Sequence, residues 1–113
     1  MTKKDTSMDI RTQARFEARA RIAKAIAHPT RLFILDQLTK EETCVCELTE
    51  MVGADISTVS KHLAVLKNAG LVQDEKRGVQ VYYRIKCPCV TNMFACLESV
   101  IETTAREQLD LVR

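Results

Sequence analysis

At 113 residues the chain has room for one hydrophobic core and no second folded unit. The hydrophobic fraction of 46% is broken by charges every few residues, which excludes a transmembrane helix and a signal-peptide core and leads us to expect a soluble, cytoplasmic protein. The net charge of +2 is unevenly distributed: residues 1–31 sum to +5, 32–56 to −5, 57–86 to +4 and 87–113 to −2, which suits a protein that meets a polyanion with one surface only.

Aromatic residues are 4% of the chain and tryptophan is absent, so the core must come from Leu, Val, Ile, Ala and Met, a composition that favours helices. Five cysteines, an odd number, argue for free thiols rather than a disulfide framework.

Residues 1–10 are polar and without periodicity and read as a flexible arm, leaving residues 11–113 as one domain. Apolar residues at Phe16, Ala20, Ile22, Ala23 and Ile26 recur at helical spacing, so a first helix is expected from Arg11 to Ala27, ended by His28-Pro29. Pro29 suits the first turn of a second helix to about Leu38, with Leu32, Leu35 and Leu38 as its buried stripe. A short third helix fits from Cys46 to Val52, with Leu48, Met51 and Val52 inward and Gly53 closing it. The fourth runs from Ser57, read as its N-cap, to Ala69, with Val59, Leu63 and Leu66 at i, i+4, i+7.

Two helices about a tight glycine turn make a helix-turn-helix. The period then changes to two at Val79, Val81, Tyr83 and Ile85, and with Leu71 to Glu75 and a turn at Lys76-Arg77-Gly78 this predicts a β-hairpin. Alternation forbids Tyr82 and Tyr83 from both facing outward. After Pro88 a last helix extends to about Leu111, with Val90, Phe94, Leu97, Ile101, Thr104 and Leu111 near one seam that suits a partner helix. Helix, turn, helix, hairpin is the winged helix-turn-helix order: a mainly α fold of about five helices plus a β-hairpin wing, dimeric through its terminal helices.

In such a fold the N-terminal residues of the second motif helix enter the major groove of DNA. Ser57, Thr58, Ser60, Lys61 and His62 supply hydrogen-bonding and basic side chains there, although Ser57 also serves as a cap and His62 as a packed helix residue. Lys67, Lys76, Arg77 and Arg84 are candidate phosphate contacts.

The segments DISTVSKHLAVLKNAGLV and KRGVQVYYRI, with AHPTRLFIL at Ala27 to Leu35 and CVCEL at Cys44 to Leu48, resemble the ArsR/SmtB family of winged-helix metal sensors over nearly the whole chain. The resemblance implies a homodimer, a palindromic double-stranded DNA operator, and derepression when an inducer binds. No membrane partner is expected, and no enzyme motif is present: C-x-x-C, a Cys/His/Asp arrangement and a Gly-rich phosphate loop are all missing from the sequence.

The thiols carry the sensing expectation. On a wound helix, side chains two apart diverge by roughly 200°, so Cys44 and Cys46 can share an ion only where the third helix is still unwound. A helix start also favours the thiolate. Soft ligands select As(III), Cd(II), Pb(II) or Zn(II), with As(III) the inducer that the resemblance favours. The family's third cysteine would fall at position 49, which is Thr49, so Cys87 or Cys89 is expected to complete the site, from the same or the other subunit. Cys96 reads as a small buried residue, or as the third member of a trio with Cys87 and Cys89. The family's histidine-rich zinc site on the terminal helix does not fit, because the only histidines are His28 and His62. Two other readings remain: a redox or persulfide switch, and a structural Zn(II) held by both C-x-C pairs.

Overall fold

The computed structural model describes residues 8–112. Along them run α1 (Ile10–Ile26), α2 (Pro29–Lys40), β1 (Thr43–Cys44), α3 (Val45–Val52), α4 (Ile56–Asn68), β2 (Val72–Arg77), β3 (Gln80–Ile85) and α5 (Val90–Leu111). This is the winged helix-turn-helix order expected from the periodicity. Of the expected arm, residues 1–7 lie outside the described residues, whereas Asp9 and Ile10 already belong to the start of α1.

Each of the first two helices, and α4, starts on a side chain that accepts an otherwise unpaired backbone N–H. The Asp9 carboxylate takes Thr12 N–H at 2.9 Å, and His28 Nδ1 takes Thr30 N–H at 3.1 Å ahead of Pro29. At α4 the cap is Asp55, whose Oδ1 takes Thr58 N–H at 2.8 Å. Ser57, the expected cap, lies two residues further on, within the first turn, and donates its hydroxyl to the same carboxylate at 2.8 Å. The carboxylate, a stronger acceptor than a hydroxyl, takes the helix end.

Gly53 closes α3 at φ 78°, a left-handed conformation that a side chain would strain, and the chain turns there into α4. The wing is a three-stranded antiparallel sheet ordered β1-β3-β2. Arg77 pairs with Gln80, so the hairpin loop is Gly78-Val79 and not Lys76-Arg77-Gly78; Lys76 and Arg77 are strand residues. Gly78 at φ 62° supplies the positive first position such a two-residue loop needs. Val79 therefore sits in the loop, 94% exposed, rather than facing inward. Strand β1, which the sequence did not suggest, joins the helix-turn-helix to the wing through Thr43 opposite Tyr83 and Cys44 opposite Tyr82. Tyr83 is buried and Tyr82 lies under the Arg77 guanidinium, 4.6 Å from ring centre, so the two tyrosines do take opposite faces.

The core gathers Ile34, Leu35 and Leu38 of α2, Leu48 of α3, Val59, Leu63 and Leu66 of α4, with Val72 and Tyr83 from the wing. In α2 the buried stripe runs through Ile34 rather than Leu32, and Met51 of α3 faces solvent. Val90 closes the core from α5, with Met93 and Phe94 against it. Beyond that turn α5 leaves the body: Leu97, Val100, Ile101, Leu109 and Leu111 are exposed, as are Phe16 and Ile22 of α1. The radius of gyration of 18.2 Å exceeds the roughly 13 Å of a compact domain this long because both terminal helices project.

Leu63 is fully enclosed. Leu63→Ala is expected to lower unfolding stability by about 2–5 kcal/mol through lost burial and a residual cavity, read from urea denaturation monitored by circular dichroism.

Candidate nucleic-acid interface and thiol sites

The rotation of α4 decides what it offers. Because Val59, Leu63 and Leu66 are anchored in the core, Ser57, Thr58, Ser60 and Lys61 are turned outward on the first two turns. The Asp55 carboxylate sits at this helix end, its pKa held below the usual range chiefly by the Thr58 backbone N–H. The helix start therefore already carries an anion, which leaves the row of outward side chains as what this end of α4 offers.

Eight of the nine expected DNA contacts are exposed, His62 being the exception. Of these, Lys67, Arg77 and Arg84 are ion-paired within the chain, whereas Ser57, Thr58, Ser60, Lys61 and Lys76 are not. The His62 ring is half-buried against His28, with centroids 4.5 Å apart, and acts as a packing contact between α4 and the start of α2. Burial first, then His28 and Arg31, push its pKa below the ordinary value. Lys67 Nζ is 3.0 Å from Asp74 on β2, and the hydrogen bond to that carboxylate holds the ammonium pKa up. Arg77 grips Glu42 with two parallel bonds of 2.7 and 2.9 Å and also reaches Glu75 at 2.6 Å; Arg84 lies 3.6 Å from both carboxylates. These pairings join residues as far apart in sequence as Glu42 and Arg84, so no local sequence pattern announces them.

Cys44 occupies the N-cap position of α3, buried and in extended backbone, with its thiol donating to Glu47 Oε1 at 3.5 Å. Cys46, two residues on, is exposed and its thiol meets Gln80 Oε1 of the wing at 3.1 Å. Cys44 thus lies at the unwound helix edge expected for the pair, whereas Cys46 is already inside α3 and its thiol is directed to a different partner. Cys46 lines a cleft of about 340 Å³ that also contains Ser60 of α4 and Gln80 and Val81 of β3, so the outer thiol, α4 and the wing share one space.

Cys87 and Cys89 depart from the expectation of free thiols, being joined as a disulfide across Pro88 with Cα atoms 5.5 Å apart. The turn before α5 brings them within bridging range. Cys44 faces Tyr82, and Cys87 lies five residues further along the direction of β3, about 16 Å of extended chain away. Within one chain, then, Cys87 and Cys89 do not complete a site with Cys44 and Cys46, and among the described residues no three metal-binding side chains converge. Cys96, expected to be buried, is exposed on the projecting part of α5.

Residues 28–74 match the bacterial regulatory protein, arsR family pattern. The HTH-type transcriptional regulator YgaV of Escherichia coli is 36% identical over 89 residues, spanning 78% of this chain and 90% of that protein. The chain belongs to the arsR family. Members of this family are transcriptional regulators rather than enzymes. The HTH-type transcriptional regulator Rv0324 of Mycobacterium tuberculosis is 37% identical over 83 residues, 74% of this chain but only 37% of that longer protein. Among solved structures, the homodimeric winged helix-turn-helix DNA-binding domain Mb0332 of Mycobacterium bovis superimposes with a TM-score of 0.77 at 32% identity, covering 90% of this chain and 94% of that one.

A lowered His62 pKa means the folded protein binds fewer protons there than the unfolded chain, so its contribution to stability is complete above the ordinary value of 6.5 and is lost as pH falls below it. Thermal unfolding midpoints should drop between pH 7.5 and 5.5 in the wild type, and drop less in His62→Gln.

Proposed function

We propose that this chain is a homodimeric repressor that holds operator DNA through α4 and the wing tip, and releases it when the thiolates of Cys44 and Cys46 capture a soft metal or metalloid, As(III) being the best match. One observation carries the reading: the core-anchored rotation of α4 that turns Ser57, Thr58, Ser60 and Lys61 outward beside a wing bearing Lys76. The coupling is supported by the cleft that Cys46 shares with Ser60 and Gln80, since a ligand held at that thiol presses on both DNA-facing elements.

Dimerisation is supported by the apolar residues that α1 and α5 leave exposed, and by the homodimeric state of the similar Mycobacterium bovis domain. A two-fold pair of α4 helices suits a palindromic operator whose half-sites lie about 34 Å apart. Two thiolates at the α3 start fit part of a three-sulfur site for As(III), Cd(II), Pb(II) or Zn(II), and the partner's α5 end is a source for the remainder once its disulfide is reduced. Near-complete release needs about 5.5 kcal/mol of preference for the low-affinity state, within the reach of several metal–sulfur bonds.

A second reading is favoured by the Cys87–Cys89 disulfide. In it, an oxidant removes two electrons and two protons from this thiol pair, and the change at the start of α5 reorients the dimer.

Fluorescence anisotropy of reduced protein on duplex from its own promoter, with As(III), Cd(II), Zn(II) or peroxide added in parallel, separates the two. Arsenite is expected to weaken wild-type binding, and to leave Cys44→Ser and Cys46→Ser unaffected. Release by peroxide, abolished only in Cys87→Ser and Cys89→Ser, favours the redox switch. Arsenite response unchanged in all four variants contradicts the ligand assignment.

A further inference from the structure

The wing carries two arginines that do not face outward as free cations. Glu75 and Arg77 of β2 alternate on the same sheet face as Tyr82 and Arg84 of β3, given the pairing of Glu75 with Tyr82 and Arg77 with Gln80. On that face Arg77 is held from three sides: by both oxygens of Glu42, by Glu75, and by the Tyr82 ring beneath it. Exposed ion pairs contribute little when isolated, but a bidentate arginine within a four-charge network and over an aromatic ring is the arrangement that holds a geometry. Its charges sum to zero, so this face presents no net positive charge, and Lys76 is left as the unpaired basic group of the wing tip.

Glu42 belongs to the other half of the molecule. It directly precedes β1 and stands two residues before Cys44, in the segment that leads into α3. Only two residues of β1 pair with β3, and the far end of the hairpin extends past them. The Arg77–Glu42 contact ties that outer end down on one face, beside the Cys46–Gln80 contact from α3.

We propose that Arg77 and Glu42 form a strut: they are positioning residues that fix the wing relative to the helix-turn-helix so that Lys76 and α4 meet one stretch of duplex together. Arg77 thus acts on DNA binding without touching DNA. The strut rests on the DNA-binding reading above, and it sets the wing's position by the same segment that carries Cys44.

The test compares Glu42→Gln, Arg77→Gln and Arg77→Lys with the wild-type full chain. Affinity for duplex is measured across a salt series, and amide hydrogen exchange of β2 and β3 is measured without DNA. A lysine keeps the charge but cannot reproduce the two parallel bonds. Each variant is therefore expected to bind duplex about tenfold more weakly, the size of one lost charge-assisted contact. The salt dependence should keep its wild-type slope, and exchange at the hairpin should quicken. Glu42→Gln is the sharpest case, because removing a negative charge from a DNA-binding protein ordinarily tightens binding. The double variant Glu42→Gln with Arg77→Gln should be no weaker than either single one.

Tighter or unchanged binding in Glu42→Gln overturns the strut, as does a slope reduced by about one in Arg77→Gln but kept in Arg77→Lys, the mark of a direct phosphate contact. If Arg77→Gln fails to fold, Glu42→Gln and Arg77→Lys decide the matter alone. Should the wild type bind no duplex, the DNA-binding reading fails, while unaltered exchange in the variants would still sink the strut on its own.

Discussion

The burial of Val59, Leu63 and Leu66 is the constraint on which the molecule depends. Helical geometry leaves no freedom once those three side chains are enclosed: the residues between them must point the other way. The same apolar contacts that hold α4 against α2, α3 and β2 therefore select which side chains are presented. A rotation of α4 by one residue would bury Ser60 and Lys67, or Thr58 and His62, and expose leucine, at a cost that hydrophobic transfer makes prohibitive.

Around that fixed helix the charged groups divide into two populations. Lys67, Arg77 and Arg84 hold carboxylates on the sheet, whereas Lys61 and Lys76 carry no ion pair among the described residues. The two unpaired lysines lie on the outer edge of α4 and at the wing tip. The division also gives the wing a defined seat, because its carboxylate partners sit on β2 and just ahead of β1. The thiol pair lies at the junction of these parts, Cys44 within the core edge and Cys46 against Gln80. Chemistry at that junction has mechanical access to both elements that would face DNA.

Much of this was legible in the sequence, for identifiable reasons. The five helices follow from apolar spacing, the wing from its change of period, and the outward row of α4 from Val59, Leu63 and Leu66 alone. The exposed apolar face of α5 was visible as a seam suited to a partner helix. What escaped is nonlocal or small. A two-residue strand such as β1 has no alternation to detect, and Glu42 and Arg77 are brought together only by the folded sheet. The cap at Asp55 was displaced because a carboxylate two residues earlier outcompetes the Ser57 hydroxyl. The Cys87–Cys89 bridge follows from the Pro88 turn, which composition could not convey.

The central claim is that the core-anchored α4 edge and the wing tip are the DNA-contacting surface, and it is tested most directly by titrating ¹⁵N-labelled protein with promoter duplex and following each backbone amide. The account predicts that the resonances of Ser57, Thr58, Ser60, Lys61 and Lys76 move first and furthest. Perturbations centred instead on the exposed ends of α1 and α5, with the α4 signals stationary, would contradict it.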